Sequence, residues 1–189
     1  SNKPLSPIKI LMVCLGNICR SPTAEAVLRA RVEAAGLTAY IIIDSAGTSD
    51  WHKGEAPDKR SMLAASNRLY DLSTQRSRPV TTLDFEEFDY ILAMDSKNLS
   101  DLQDHCPVAY QHKIDLLLNY GNTGWLEVPD PFNSGKEGFE LVLDLVVDPP
   151  AGEDRGREQE PDEEPGNPAF PLPRRLVVGT ARRIGRRPV

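Results

Sequence analysis

The run Val13-Cys14-Leu15-Gly16-Asn17-Ile18-Cys19-Arg20-Ser21-Pro22 brings a thiol, a guanidinium and a hydroxyl into one short stretch. Five residues separate Cys14 from Arg20, a spacing at which both groups can face the same tetrahedral oxyanion. The guanidinium fork suits two oxygens of a phosphate-like group. A cysteine at the mouth of an anion site feels the same positive field, which favours the thiolate, and the thiolate is the nucleophilic form. Ser21 can donate to that sulfur when it must leave. Taken singly, a cysteine at a strand end is plain core and an arginine is solvated surface. The set in one loop is what points to a nucleophile that also holds its electrophile.

A second reactive group is Asp130, in Val128-Pro129-Asp130-Pro131-Phe132. Prolines on both sides keep it out of a helix and stiffen its loop, so a carboxyl can be held over a site at low entropic cost. Alone it reads as a turn aspartate.

These groups need elements to hold them. The apolar run Ile8 to Leu15 reads as a buried strand, and Ser21-Pro22 as an N-cap followed by proline at the first helical position. The loop between them would then turn its backbone N–H groups into one concavity, where an anion is favoured. A helix is expected from Pro22 to Ala35, with Ala24, Val27, Leu28, Val32 and Ala35 on one face and Gly36 closing it. Tyr40 to Ile43 is β-branched and apolar enough for a central strand, and strand, helix, strand at this spacing is a βαβ unit with a parallel sheet. Asp44-Ser45-Ala46-Gly47-Thr48 should follow that strand at the carboxyl edge, where ligands gather in open α/β sheets.

Further along, Pro57 to Asn67 and Asp84 to Phe88 read as helices, and Tyr90 to Met94 as a third strand with Asp95 at its carboxyl edge. A helix from Ser96 to Gln103 and a fourth strand within Lys113 to Asn119 follow. Ser134-Gly135-Lys136-Glu137 reads as a capping box starting a helix with an apolar stripe of Phe139, Val142, Leu143 and Val146. The expected architecture is α/β: a single three-layer α/β/α domain with a four-stranded parallel sheet over residues 8–148, plus an irregular C-terminal tail.

Composition narrows the function classes. The 189 residues are 40% hydrophobic with net charge -6, and the pI of about 5.1 argues against nucleic acid as a partner. Cys14, Cys19 and Cys106 form no even disulfide framework and suit a reducing compartment. No apolar run approaches the roughly 20 residues that span a bilayer, and the first is short and leads into the loop, so no membrane contact and a cytoplasmic location are expected. His52, His105 and His112 lack ligand spacing, and neither a GxxxxGK[ST] nor a GxGxxG loop occurs, so no metal or cofactor is expected.

VCLGNICRSPTAE resembles the active-site signature of the low-molecular-weight protein tyrosine phosphatases. The likeness continues through DSAGTSDWHKGEAPDKR, TTLDFEEFDYILAMDSKNLSDL and EVPDPFNSGKEGFELVLDLV, and so covers residues 8 to 148. It implies Cys14 as nucleophile, Arg20 with the amides of Leu15, Gly16, Asn17, Ile18 and Cys19 as the phosphate cradle, Ser21 as the group assisting the sulfur, and Asp130 as general acid and base. It also implies a Ser45 to Asn17 hydrogen bond that supports the loop, and an aromatic, here Trp51, flanking the substrate ring opposite Phe132. The substrates implied are phosphotyrosine proteins and small aryl phosphates, with inorganic phosphate and other oxyanions as inhibitors. Cys19 is then either a packing thiol or a resolving partner for oxidised Cys14.

The chain departs from the family in places. Gln75 stands where the best-known members carry a histidine, so the hydrogen-bond network behind the loop should end in an amide that cannot titrate. Phe132 is followed by Asn133 in place of a second aromatic. Ile18 occupies the loop position at which related protein-arginine phosphatases have threonine, which favours phosphotyrosine. Thioredoxin-coupled arsenate reductases share the Cys-x5-Arg loop but need a further cysteine pair, and only Cys106 lies outside the loop. A non-catalytic phosphate-binding signalling module is the remaining alternative, and the intact set Cys14, Arg20, Ser21 and Asp130 argues against it.

Pro149-Pro150 should stop the last helix. From 149 to 189 there are eight prolines, eight arginines and no lysine, with an acidic stretch from Glu153 to Glu164 and a basic one from Arg174 to Arg187. This tail reads as largely disordered, as an interaction arm for an anionic partner or the acidic body, or as the product of a shifted reading frame.

Overall fold

A computed structural model describes residues 6–147. The expected stop at Pro149-Pro150 and the tail 149–189 lie outside the described residues. Four parallel strands, β1 (Ile8–Cys14), β2 (Ile41–Gly47), β3 (Tyr90–Ala93) and β4 (Ile114–Leu116), form one sheet in the order β2-β1-β3-β4. Helices α1 (Arg20–Ala34), α2 (Lys59–Ser66), α3 (Thr82–Glu87), α4 (Ser96–His105) and α5 (Lys136–Val147) complete three α/β/α layers, as the pattern predicts.

The alternation of β1 builds both cores. Ile10, Met12 and Cys14 turn to one face and pack with Val27, Leu28 and Val32 of α1 and Phe139, Val142 and Leu143 of α5. Leu11 and Val13 turn to the other, against Phe85, Phe88 and Leu102 of the α3 and α4 side. Successive strand residues face opposite ways, so a strand buried on both sides must be apolar throughout. Because β1 is central, its carboxyl end at Cys14 is flanked by Gly47 of β2 and, one residue back, by Ala93 of β3. The loop after β1 therefore opens between the loops that follow β2 and β3.

Several expectations need correction. β2 is an edge strand, first in the sheet order, and Ile42 is exposed because α4 packs over β3 and β4 and leaves that face open; Tyr40, just before the strand, is exposed as well. Asp44 to Gly47 lie within β2, paired with Leu11 to Cys14, and do not follow it. β4 shrinks to three residues between 3-10 turns at Val108–Lys113 and Leu117–Tyr120, since its partner β3 offers only four. α4 runs on to His105 and ends at Cys106, whose backbone the following Pro107 keeps extended. The capping box at α5 does not form: the Ser134 hydroxyl donates back to Pro131 O at 2.8 Å. Among the described residues no helix is long and apolar enough to cross a membrane.

Candidate active site

The loop from Cys14 to Arg20 is shaped by what holds its carbonyls. Thr48 N donates to Cys14 O at 2.9 Å, Ser49 N to Leu15 O at 3.0 Å and Asp58 N to Ile18 O at 2.8 Å, while Ser77 Oγ donates to Gly16 O at 2.9 Å. With these C=O groups tied to the surrounding segments, the loop's N–H groups turn inward, as in anion nests. Asn17 N shows the direction: it donates to Cys14 Sγ at 3.3 Å. Asn17 itself has φ 54°, a left-handed conformation that asparagine tolerates better than most residues.

This anchoring also winds the helix early. α1 begins at Arg20 with Cys19 at the N-cap position and no side-chain cap, so Ser21 is not the N-cap and Pro22 is the third helical residue, not the first. The Ser21 hydroxyl is drawn elsewhere. It lies 2.9 Å from Cys14 Sγ, accepts from Asn17 Nδ2 at 2.8 Å and reaches Ala46 O at 3.5 Å, so the sulfur is the nearer partner for its proton.

Arg20 is buried, and its Nη1 donates to Asp95 Oδ2 at 2.5 Å and to Val128 O at 3.1 Å, with Nη2 3.7 Å from Asp130 Oδ2. Burial alone would lower its pKa, but the charges of Cys14, Asp95 and Asp130 raise it above the usual value, so it stays cationic. Asp95, N-cap of α4, thereby fixes the Arg20 guanidinium. Asp130 is half-exposed and takes Phe132 N on its Oδ1 at 3.1 Å.

Cys14, Leu15, Gly16, Ile18, Cys19, Arg20, Trp51, His52, Asp130, Phe132 and Asn133 line one cleft of about 230 Å³. The expected nucleophile, guanidinium, acid and aromatic walls thus converge. His52 was not among the expected groups; its ring packs on Gly16, where an added Cβ would lie 3.0 Å from Cδ2, and faces Phe132 with centroids 6.4 Å apart. Its neighbour Trp51, 73% exposed, was the legible part of that wall. Cys19 is buried and its thiol is pushed up to about 12, chiefly by desolvation. Cys14, Cys19 and Cys106 are all free thiols.

Behind the loop, Asn17 Nδ2 donates to Ser45 Oγ at 3.0 Å, as expected, and Asn17 Oδ1 accepts from Arg78 N at 3.1 Å. Gln75 Oε1 is 3.4 Å from Ser45 Oγ, but Glu25 Oε1 is nearer, at 2.9 Å. The network therefore reaches the expected amide but has a second, nearer end: a buried carboxyl whose pKa is raised by burial, against the opposing pull of Ser45 and Arg29. The one sequence signal for Glu25 was its i,i+4 relation to Arg29, which reads as surface.

Residues 9–149 match the family model described as low molecular weight phosphotyrosine protein phosphatase. The low molecular weight phosphotyrosine protein phosphatase of Schizosaccharomyces pombe is 44% identical over 143 residues, 74% of this chain and 90% of that protein. A protein tyrosine phosphatase from Entamoeba histolytica, solved with Hepes in its active site, superposes with TM-score 0.73 at 44% identity, covering 75% of this chain and 90% of that one. A drosophila arginine phosphatase superposes with TM-score 0.69 at 33% identity, covering 75% and 92%.

Proposed function

The chain belongs to the low molecular weight phosphotyrosine protein phosphatase family, and we propose that it hydrolyses protein phosphotyrosine and small aryl phosphates through a cysteinyl-phosphate intermediate. The observation that carries this reading is the convergence of Cys14, Arg20 and Asp130 on one cleft, with Ser21 at the sulfur. The Cys14 thiolate attacks phosphorus while Arg20 and the N–H groups of Leu15 to Cys19 hold the equatorial oxygens, where transition-state charge collects. Protonated Asp130 gives its proton to the leaving phenolate as the P–O bond breaks and the S–P bond forms. Asp130, now ionised, takes a proton from a water that attacks the phosphocysteine. Ser21 donates to the departing sulfur, and inorganic phosphate is released.

Trp51, His52 and Phe132 suit a planar ring standing over the loop. Ile18, also lining the cleft, gives the loop an apolar side there, which favours an aryl over a guanidinium leaving group. The same cradle would take inorganic phosphate and other oxyanions as competitive inhibitors, in line with the sulfonate buffer held by the Entamoeba enzyme. Cys19 borders the same cleft, and we assign it as partner for oxidised Cys14: once a peroxide has oxidised the Cys14 thiolate to the sulfenic acid, releasing hydroxide, the sulfenic acid and the Cys19 thiol would join as a disulfide with loss of water. The cysteine usage suits a cytoplasmic setting.

The test is hydrolysis of para-nitrophenyl phosphate and of phosphotyrosine, phosphoserine and phosphoarginine peptides by the full chain, Cys14→Ser and Asp130→Asn. Phosphotyrosine turnover abolished in Cys14→Ser and lowered about 10²- to 10⁴-fold in Asp130→Asn is expected. Preferential phosphoarginine turnover would overturn the substrate assignment, and turnover retained by Cys14→Ser would overturn the mechanism.

A further inference from the structure

Asp58 is the N-cap of α2, and its carboxylate accepts Arg60 N at 2.8 Å. The same carboxylate grips the Arg60 guanidinium twice, from Nε at 3.1 Å and Nη2 at 2.9 Å. At its other end Asp58 N donates to Ile18 O of the phosphate loop. The guanidinium nitrogen left over, Nη1, donates to Phe132 O at 3.0 Å. Its plane lies over two rings, 4.6 Å from the Phe139 centroid on α5 and 5.4 Å from that of Phe132. Phe132 is thus held by its carbonyl and its ring, while its own N–H donates to Asp130 Oδ1.

We propose that Arg60 is a positioning residue: through Phe132 it fixes Asp130 at a set distance from the phosphate loop, with Asp58 as the spacer between them. This rests on the reading of Asp130 as the proton donor. Pro129 and Pro131 stiffen the strap, so a hold at Phe132 carries over to Asp130 two residues away. Val128 N, donating to Met94 O, anchors the near end of the strap, and Arg60 ties the far end. The Arg60 side chain is 47% exposed, so solvent screens its ion pair with Asp58 and the pair adds little to stability. Its effect falls on geometry instead, and an ångström of misplacement at a reacting centre can slow a reaction about 10²-fold.

The experiment compares kcat/KM for 2,4-dinitrophenyl phosphate, whose phenolate leaves without a proton, with that for phenyl phosphate, whose phenolate needs one. Arg60→Met in the full chain should lose about tenfold or more on phenyl phosphate, much less on the dinitrophenyl ester, and leave inhibition by inorganic phosphate unchanged. Arg60→Lys should recover part of the loss, because an ammonium can reach Phe132 O or Asp58 but lacks the fork for both. On an Asp130→Asn background, Arg60→Met should add no further loss on phenyl phosphate. An equal loss on both esters, or a full additional loss on that background, would overturn the assignment. If Asp130→Asn alone slows both esters equally, the proton-donor reading itself falls and takes this one with it.

Discussion

Ser45 donates its hydroxyl to Glu25 Oε1 at 2.9 Å, which puts a buried carboxyl of α1 one hydroxyl away from the Asn17 amide of the Cys14–Arg20 loop. Burial raises the Glu25 pKa above its ordinary 4.5, so the folded chain holds this proton more tightly than the unfolded one. The stability it contributes is complete below about pH 4.5 and is lost as pH rises through the raised folded value. Glu25→Gln keeps an acceptor for Ser45 without the charge. Its unfolding free energy should therefore fall less than the wild type's as pH rises above about 4.5, with slopes differing by at most about 1.4 kcal/mol per pH unit. Parallel profiles for the two proteins would show that Glu25 is not the titrating group.

Asn17 combines a left-handed backbone with side-chain bonds to Ser21, Ser45 and Arg78 N. Asn17→Gly keeps the backbone and removes the bonds; Asn17→Ala removes both advantages. Urea unfolding should show a loss of about 1–3 kcal/mol for the glycine variant and about 1 kcal/mol more for the alanine variant. Equal stabilities would mean that the backbone conformation carries no strain.

Gly47 closes β2 against the loop. A Cβ there would meet Leu15 O at 2.7 Å, Ser49 O at 3.1 Å and Gly16 C at 3.2 Å, all backbone atoms. Gly47→Ala must push the phosphate loop out of place, costing about 1–3 kcal/mol of stability and weakening competitive inhibition by inorganic phosphate. Unchanged phosphate inhibition would show that the loop yields without losing its shape.

The Cys19 thiol, pushed up to about 12 by burial, stays protonated in the folded chain where an unfolded cysteine with the ordinary value of 9.0 would ionise. Stability from this group is intact below pH 9 and declines as pH rises towards 12, by roughly 1.4 kcal/mol per pH unit at most. Cys19→Ala should show a shallower alkaline decline in chemical denaturation than the wild type. At neutral pH, iodoacetamide should label Cys14 and spare Cys19, as read by peptide mass spectrometry.

Trp51, exposed beside the cleft, should act on the organic part of the substrate and not on its phosphate. Trp51→Ala is expected to raise KM for a phosphotyrosine peptide about tenfold, on the scale of a lost aromatic contact, with little change in inhibition by inorganic phosphate. Equal weakening of both would place Trp51 in support of the loop instead.

The cluster of Cys14, Arg20 and Ser21 was legible in the sequence because these groups are contiguous. Cys14, Arg20 and Ser21 sit between an apolar strand and an amphipathic helix, and such a stretch needs no distant partner to be read. The parallel sheet and three layers followed from alternating strand and helix patterns. What the sequence could not determine was how the loop is held and what faces it. The start of α1 moved to Arg20 because Thr48, Ser49, Asp58 and Ser77 tie down loop carbonyls from three other segments. An apolar run such as Ile41 to Ile43 does not say whether it has one neighbour or two, so the edge position of β2 emerged only from the assembled sheet. The order β2-β1-β3 places the carboxyl end of the strand that carries Cys14 between two others, and that placement brings Ser45 and Asp95 within bonding reach of the loop. Glu25, His52 and Arg60 acquired their contacts the same way: each reads locally as an ordinary helix or loop residue, and only packing across the sheet's carboxyl edge set it against the loop or the Asp130 segment.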